Sequence, residues 1–257
     1  MKIEILGAHN SETDKARLPS LLVDDVIALD AGGLTSSLSL QRQHQITSVL
    51  LTHHHFDHTR DLVTLGSNDT HPPSTVDVYG LPATLEVVYK YLLDGKMYKD
   101  YTQWPKVEAP RLLLKALEAY RQLVIAGCVI IPVPVNHSVP SVGFLVTSRS
   151  GRSFFYTGDT GPGLSGCWEH ISPEVLFIEI TGLNSMGDAM RGLGHLTPDL
   201  LVEELQQFQK LKGYLPRVIA AHVSTLWEDK LRAELAVAGQ RLGKELEVGH
   251  EGLTVEL

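Results

Sequence analysis

Four side chains able to bind a metal, His53, His55, Asp57 and His58, fall within six residues of the stretch Leu51-Thr52-His53-His54-His55-Phe56-Asp57-His58. Imidazoles and a carboxylate at that density point to metal chemistry. In an extended segment His53 and His55 sit two apart and share one face. If the chain then turns into a helix near Asp57, the Asp57 and His58 side chains are directed elsewhere, and one short segment serves two adjacent metal ions. A merely histidine-rich loop or a tag-like scar fits poorly, because a tag is terminal whereas this run follows a buried strand and includes a carboxylate.

The elements that must position these residues can be read from the apolar pattern. The run Ile46 to Leu51 is a buried strand, so His53 emerges at its carboxyl end, where α/β proteins commonly place chemistry. Lys2 to Gly7 alternates as a strand, and Leu18 to Val23, the acidic turn Asp24-Asp25 and Val26 to Leu29 form a hairpin that ends in Asp30-Ala31-Gly32-Gly33. Leu34 to Leu40 and the segment starting at Asp61 to Leu65 read as short helices, Val76 to Tyr79 as a strand, and Pro82 to Leu93 as a helix closed by Gly95. Lys96 to Pro110, with Tyr98, Tyr101 and Trp104, is the least regular stretch and reads either as an insertion over the site or as aromatics packed on the body. Strand-rich Val124 to Val135, interrupted at Gly127, leads into Asn136-His137-Ser138, and the hairpin Val142 to Thr147 with Ser153 to Tyr156 delivers Gly158-Asp159. By itself a Gly-Asp turn is commonly structural.

Val175 to Ile178 is a buried strand ending at Glu179. Gly194-His195-Leu196 precedes a helix with Thr197 as N-cap and Pro198 in its first turn, reaching Gly213, so His195 lies beside a helix start that favours anions such as phosphate. Val218 to Ala221 ends in His222, Thr225-x-x-Glu228 reads as a capping box opening a helix to about Leu242, and Leu253 to Leu257 closes the chain as a strand. No internal repeat or linker is visible.

At 257 residues with 43% hydrophobic and 20% charged side chains, the composition is that of an ordinary globule, expected to form one domain. The start, Met1-Lys2-Ile3-Glu4, is too charged for a secretory signal, and no apolar run is long enough for a membrane span, so a soluble cytoplasmic protein is expected. Two cysteines, Cys128 and Cys167, are too few for a disulfide framework or a thiolate zinc site. A net charge of -8 disfavours, without excluding, a nucleic-acid backbone as the main partner.

His53, His55, Asp57, His58, His137, Asp159 and His222 all fall at or just beyond the ends of expected strands. Their order and the His-x-His-x-Asp-His spacing resemble the metallo-β-lactamase superfamily along nearly the whole chain, from the opening meander through Leu29-Asp30-Ala31-Gly32 to His222. The resemblance implies an αββα sandwich with the site at one edge between two sheets. It implies that His53, His55 and His137 hold a first metal and Asp57, His58 and His222 a second, with Asp159 bridging. It further implies a hydroxide shared by two divalent cations about 3.5–4 Å apart as nucleophile, with Asp57 counted among the catalytic groups as well as the ligands. Zinc suits such nitrogen and oxygen donors, with manganese or iron tolerated. A homodimer is the superfamily's habit. His54 and Phe56 occupy the x positions and are expected to point away, and His9, His44, His71, His170 and His250 lack partners at metal spacing, His9 being the one to re-examine.

Within the superfamily the chain looks most like the phosphodiesterase branch, which includes the tRNA 3′-processing endonucleases and the class II cyclic-nucleotide phosphodiesterases. His137-Ser138-Val139-Pro140-Ser141-Val142-Gly143-Phe144 and Phe177-Ile178-Glu179-Ile180-Thr181 are similar to segments of the endonucleases, and Gly194-His195-Leu196-Thr197-Pro198 to the class II phosphodiesterases. In that branch Glu179 and His195 pair, the carboxylate orienting an imidazole that stabilises the phosphorane or protonates the leaving oxygen. Otherwise the pair only staples a strand to the next helix. Class II enzymes usually have leucine where this chain has Phe56, and the glycine- and lysine-rich tRNA-binding arm of the endonucleases is absent. The expectation is therefore a metal-dependent hydrolase of a small or cyclic phosphodiester, ahead of RNA 3′-end cleavage, ester, lactone or thioester hydrolysis, or a non-enzymatic scaffold.

Overall fold

The computed structural model describes residues 1–68 and 74–257, so His71 lies outside the described residues. β1 (Lys2–Gly7), β2 (Ser20–Val23) and β3 (Ile27–Leu29) form the antiparallel meander. Asp24 and Asp25 take positive φ values of 48° and 61°, the left-handed geometry that lets a tight hairpin follow the twist of its strands. Two short helices, α1 (Leu34–Ser37) and α2 (Leu40–Gln43), replace the single one expected over Leu34 to Leu40. β4 (Ser48–Leu50) runs parallel to β3, and after α3 (Phe56–Thr59) and α4 (Asp61–Ser67) comes β5 (Val76–Gly80), parallel to β4.

After α5 (Pro82–Leu92), the irregular stretch contains the small hairpin β6 (Pro105–Lys106) and β7 (Ala109–Pro110). Its Tyr101 is buried, with the ring against Gly66 of α4, so this aromatic packs on the helical layer outside the first sheet. β8 (Leu112–Ala116), which alternation did not reveal, adds in parallel to β5.

The second sheet begins with β9 (Leu123–Ile125), β10 (Cys128–Pro134), β11 (Val142–Thr147) and β12 (Ser153–Tyr156), all antiparallel. It continues through α6 (Ser165–His170), β13 (Val175–Glu179), α7 (Gly187–Leu193), α8 (Pro198–Lys212), β14 (Arg217–Ala221), α9 (Glu228–Leu242) and β15 (Leu246–Val248), with β13, β14 and β15 parallel. β16 (Thr254–Glu256) returns to pair with β1. Among the described residues each large sheet has seven strands, ordered β16-β1-β2-β3-β4-β5-β8 and β15-β14-β13-β12-β11-β10-β9. Each combines an antiparallel half with a parallel half, a likeness of topology with no matching repeat in the sequence.

Period-two alternation explains the layers. Phe144, Phe154, Phe177 and Ile219 point between the sheets, where they meet Ile5, Leu21, Leu29 and Leu50. Their neighbours Phe155, Leu176, Ile178 and Val218 point outward beneath Trp168 of α6, Leu201, Leu205 and Phe208 of α8, and Leu231 and Leu235 of α9. On the other side Val49, Leu51 and Val78 pack beneath α4 and α5 through Leu62, Leu65, Leu85 and Val88. Two helical layers, α6, α8 and α9 on one side and α4 and α5 on the other, thus cover the outer faces of the two sheets, giving the expected αββα sandwich. Each fully buried aromatic contributes about 1.5–3 kcal/mol by leaving water.

α8 starts as its sequence suggests, with the Thr197 hydroxyl accepting from Leu200 N and Pro198 in the first turn. The capping box proposed for α9 does not form. The Thr225 hydroxyl instead shares a hydrogen bond with Ser11 Oγ at 2.8 Å, and the helix begins at Glu228 after Trp227, whose side chain provides no cap. The group a local pattern assigned to the helix instead makes a contact distant in sequence.

Candidate metal centre

Strands β4, β13 and β14 end at one edge of the sandwich, and the β10–β11 connection and the turn after β12 reach the same edge. That edge brings His53, His55, His137 and Asp159 into one set of donors, Asp57, His58, Asp159 and His222 into a second, and Glu179, His195 and His222 into a third. Within each set one donor atom per residue lies within 4.8 Å of the others. All nine site residues expected from the sequence therefore meet here.

Asp159 is buried and turns a different oxygen to each of the first two sets. Its Oδ2 lies 3.8 Å from His53 Nε2 and 3.9 Å from His137 Nε2, while Oδ1 lies 3.1 Å from His58 Nε2 and 3.3 Å from His222 Nε2. Asp57 Oδ2 adds contacts of 3.2 Å to His222 Nε2 and 3.6 Å to His58 Nε2. His55 Nδ1 and His137 Nε2 are 3.2 Å apart. That is close to the edge, about 3.3 Å, of a tetrahedron with metal–nitrogen distances near 2.0–2.1 Å.

The hydrogen bonds around the rings decide which nitrogens are available. His58 Nδ1 donates to Asp30 Oδ2 at 2.7 Å, and His137 Nδ1 donates to the Gly194 carbonyl at 2.9 Å. Thr52 gives its hydroxyl proton to Asp30, so at 3.0 Å His53 Nδ1 is the donor to Thr52 Oγ1. Thr181 likewise donates to Glu179 Oε2 at 2.9 Å and accepts from His222 Nδ1 at 2.8 Å. Four imidazoles are therefore held with Nδ1 protonated and Nε2 bare, the form a cation requires.

Several of these atoms lack other partners. His53 Nε2, His58 Nε2 and Asp159 Oδ1 are buried with no hydrogen-bond partner, an arrangement that is costly unless an ion sits among them. The electrostatics point the same way. Burial pushes the His53 imidazole well down, whereas for His58 burial is outweighed by Asp159, Asp30 and Asp57, which drive it well up. Burial also opposes ionisation of Asp159, but His222 and His58 hold its carboxyl well below the usual range. The cluster calls for positive charge among its carboxylates, and the donors fit divalent cations.

Glu179 Oε1 accepts from His195 Nδ1 at 2.7 Å. The His195 ring stacks on His222, with centroids 5.7 Å apart and planes at 12°, and lies 5.1 Å from the His137 ring, so it stands beside both donor sets. Burial pushes the His195 pKa down, but the Glu179 hydrogen bond and charge prevail and raise it to about 9.

Four groups that orient the imidazoles were not recognised as functional in the sequence: Asp30, Thr52, Thr181 and the Gly194 carbonyl. Asp30 follows β3 with φ 59° and is fully buried, taking hydrogen bonds from His58, Thr52 and Tyr156 Oη, the last at 2.9 Å. A lone aspartate closing a buried strand was the available signal. A backbone carbonyl such as that of Gly194 has no signature in residue types. His54 joins neither set and presents its edge to His55, and Phe56 is 63% exposed. His9 is buried away from these sets between Glu251 at 2.7 Å and Glu228 at 3.4 Å, and His44, His170 and His250 are exposed.

The family model for the beta-lactamase superfamily domain matches residues 21–223. The chain belongs to the β-lactamase superfamily. A curated relative, a 3′,5′-cyclic-nucleotide phosphodiesterase from Aliivibrio fischeri, is 27% identical over 194 residues, which cover 66% of this chain and 55% of that protein. This member of the superfamily thus spans about half the length of that relative. Among solved structures, unliganded yeast PDE1 is similar at a TM-score of 0.82 and 19% identity, covering 100% of this chain and 99% of that one. The metallo-β-lactamase fold protein YhfI of Bacillus subtilis follows at 0.77 and 18%, covering 100% and 98%, and human tRNase Z, short form, at 0.69 and 18%, covering 100% and 99%. At these identities the structures establish the fold. No helix among the described residues is long and apolar enough to cross a membrane.

Proposed function

We propose that this superfamily member is a dinuclear metal-dependent phosphodiesterase acting on a small or cyclic phosphodiester, with a cyclic nucleotide favoured. The observation that carries this reading is the Glu179–His195 pair, a buried carboxylate 2.7 Å from an imidazole that stands beside both donor sets. Cleavage of a phosphodiester places charge on the phosphoryl oxygens and on a departing alkoxide, and a cationic imidazole serves both. The ligands are His53, His55 and His137 on one side and Asp57, His58 and His222 on the other, with Asp159 between. Zinc suits these donors, and manganese or iron are tolerated. When bound, the two cations supply a water activated near neutral pH and positive charge against the phosphoryl oxygens.

The chain's own groups supply the rest. Glu179 accepts the His195 Nδ1 proton and so leaves Nε2 to face the substrate, where the protonated ring gives its proton to the leaving oxygen. Through Thr181 the same carboxylate steadies His222, which couples the proton donor to the second donor set. The name of the Aliivibrio relative supports the substrate class. The net charge of -8 favours a small diester over a long nucleic acid. The two free, buried cysteines fit a reducing cytoplasm, and a homodimer is the expected assembly, to be read by size-exclusion chromatography with light scattering.

The deciding experiment measures metal per chain in protein purified without added metal, together with hydrolysis of bis(p-nitrophenyl) phosphate and a matched carboxylic ester before and after chelation. About two metals per chain with chelator-sensitive diester turnover is the expected result. Two metals with turnover of the ester alone would replace the phosphodiesterase reading. Failure to bind metal even after reconstitution would overturn the ligand assignment.

A further inference from the structure

We propose that the groove beside His137 is the subsite for the uncharged ring of the substrate, and that this ring is a nucleobase. The inference rests on the phosphodiesterase reading above. At the edge that carries the donors, the turn after β5 and the segment after β8 face the β10–β11 connection across a groove of about 440 Å³. Leu81, Ala119, Val139 and Pro140 wall it with hydrocarbon, and His137 and Ser138 belong to the same lining. Ser138 Oγ lies 3.4 Å from His137 Nε2, the nitrogen turned toward Asp159 and His55. The groove therefore begins one side chain away from the first donor set. A diester whose phosphorus sits at the donors places its attached group against these walls.

The chemistry of the walls selects that group. The His137 ring is itself buried, and the other described side chains lining the groove are uncharged. A neighbouring hollow along Tyr79 and Leu117 contains Lys115 and Arg121, but Lys115 is paired with Asp77 at 2.7 Å and Arg121 with Glu118 at 3.1 Å. A second phosphate would find no cation in the groove itself, and in the hollow only cations that already face carboxylates. A flat heterocycle instead lays its faces on Leu81, Val139 and Pro140 and turns a polar edge to the Ser138 hydroxyl, and the volume is within the usual range for small-molecule sites. The wall is also tied to the metal motif, since Val142 N donates to Thr52 O at 3.0 Å, and Leu117 N donates to Gly80 O at 2.8 Å beside Leu81. The ring subsite is thus built onto the same framework as the donors.

The test compares two diesters that share a p-nitrophenolate leaving group, one a thymidine 5′-ester and the other a methyl ester, in the metal-loaded wild type and in Leu81→Asn and Val139→Asn. Both substitutions are uncharged, so they leave the field at the donors unaltered, and metal content checks that each variant is folded. Removing one apolar contact to the ring lowers the thymidine-to-methyl ratio of kcat/KM by about tenfold. Equilibrium titration with thymidine 5′-monophosphate and methyl phosphate gives the same ratio without turnover. Ratios within twofold of wild type in both variants, with both diesters still hydrolysed, would overturn the subsite and leave the phosphodiesterase reading standing. A metal-loaded wild type that cleaves neither diester would overturn that reading and the subsite with it.

Discussion

Asp30→Asn is the perturbation that examines the support of the metal centre most directly. Asp30 is buried and accepts from His58 Nδ1 at 2.7 Å, Tyr156 Oη at 2.9 Å, Thr52 N at 2.8 Å and the Thr52 hydroxyl. Asparagine keeps the size but replaces one acceptor oxygen with an NH₂ group, which cannot accept from His58 on one side while its oxygen still serves Thr52 N on the other. The least costly relief is for His58 to move its proton to Nε2, the atom 3.1 Å from Asp159 Oδ1. That tautomer cannot bind a cation through Nε2. Affinity at the second donor set should fall about 10–100-fold, the usual effect of losing a group that orients a metal-bound histidine. The lost buried hydrogen bond should cost about 1–3 kcal/mol of stability in the metal-free protein.

Tyr156→Phe is the matched control, because it removes one donor to the same carboxylate and leaves the His58 tautomer alone. It should cost about 1 kcal/mol of stability while leaving metal affinity within about threefold. Competition titration with a chromophoric chelator reads the affinities, and urea unfolding of the metal-free proteins reads the stabilities. Equal affinities for Asp30→Asn and wild type would refute the tautomer argument, as would a Tyr156→Phe variant that loses metal as readily as Asp30→Asn.

Other perturbations separate the remaining roles. His195→Gln should lower phosphodiester kcat about 10²–10⁴-fold with metal content retained, as measured by steady-state kinetics and elemental analysis, whereas a stapling role would leave kcat intact and change only stability. In Gly194→Ala the new methyl would lie 3.0 Å from His137 Cα and from Ser138 N at a φ of 77°, so a loss of about 1–3 kcal/mol in denaturant unfolding and weaker binding at the first donor set are expected. His9 feels burial, which lowers its pKa, but hydrogen bonds and charges from Glu251 and Glu228 prevail and raise it. A raised imidazole pKa gives stability that is fully present below its unfolded value and is lost as the pH rises through the folded one. Glu251 is depressed by His9 despite burial, and its share is lost toward acid. His9→Gln should therefore destabilise most near pH 5–6.5 and least above the raised histidine value, read as unfolding free energy against pH.

Much of this centre follows from the chain itself, for a physical reason. Apolar runs and two-residue alternation mark buried strands, and polar residues that can bind metal directly after such runs must emerge at a sheet edge. His53, His55, Asp57, His58, His137, Glu179 and His222 are legible in that way, whereas the Gly158-Asp159 turn after a hairpin is commonly structural by itself and Asp159 became a donor only through the family resemblance. What the local sequence could not decide is how distant groups share protons. Asp30 reaches His58 across 28 residues, Gly194 accepts from His137 across 57, and Glu179 steadies His222 through Thr181. Nor could the local pattern show that the Thr225 hydroxyl would meet Ser11 while the helix starts at Glu228 without a side-chain cap. Residue types and spacing determined which donors the chain offers and roughly where they stand. Only the closing of two sheets into one sandwich decided which nitrogen of each imidazole stays bare, because that depends on partners, one of them the Gly194 carbonyl, that meet only in the folded chain, and even Thr52, next to His53, is turned into an acceptor by the distant Asp30.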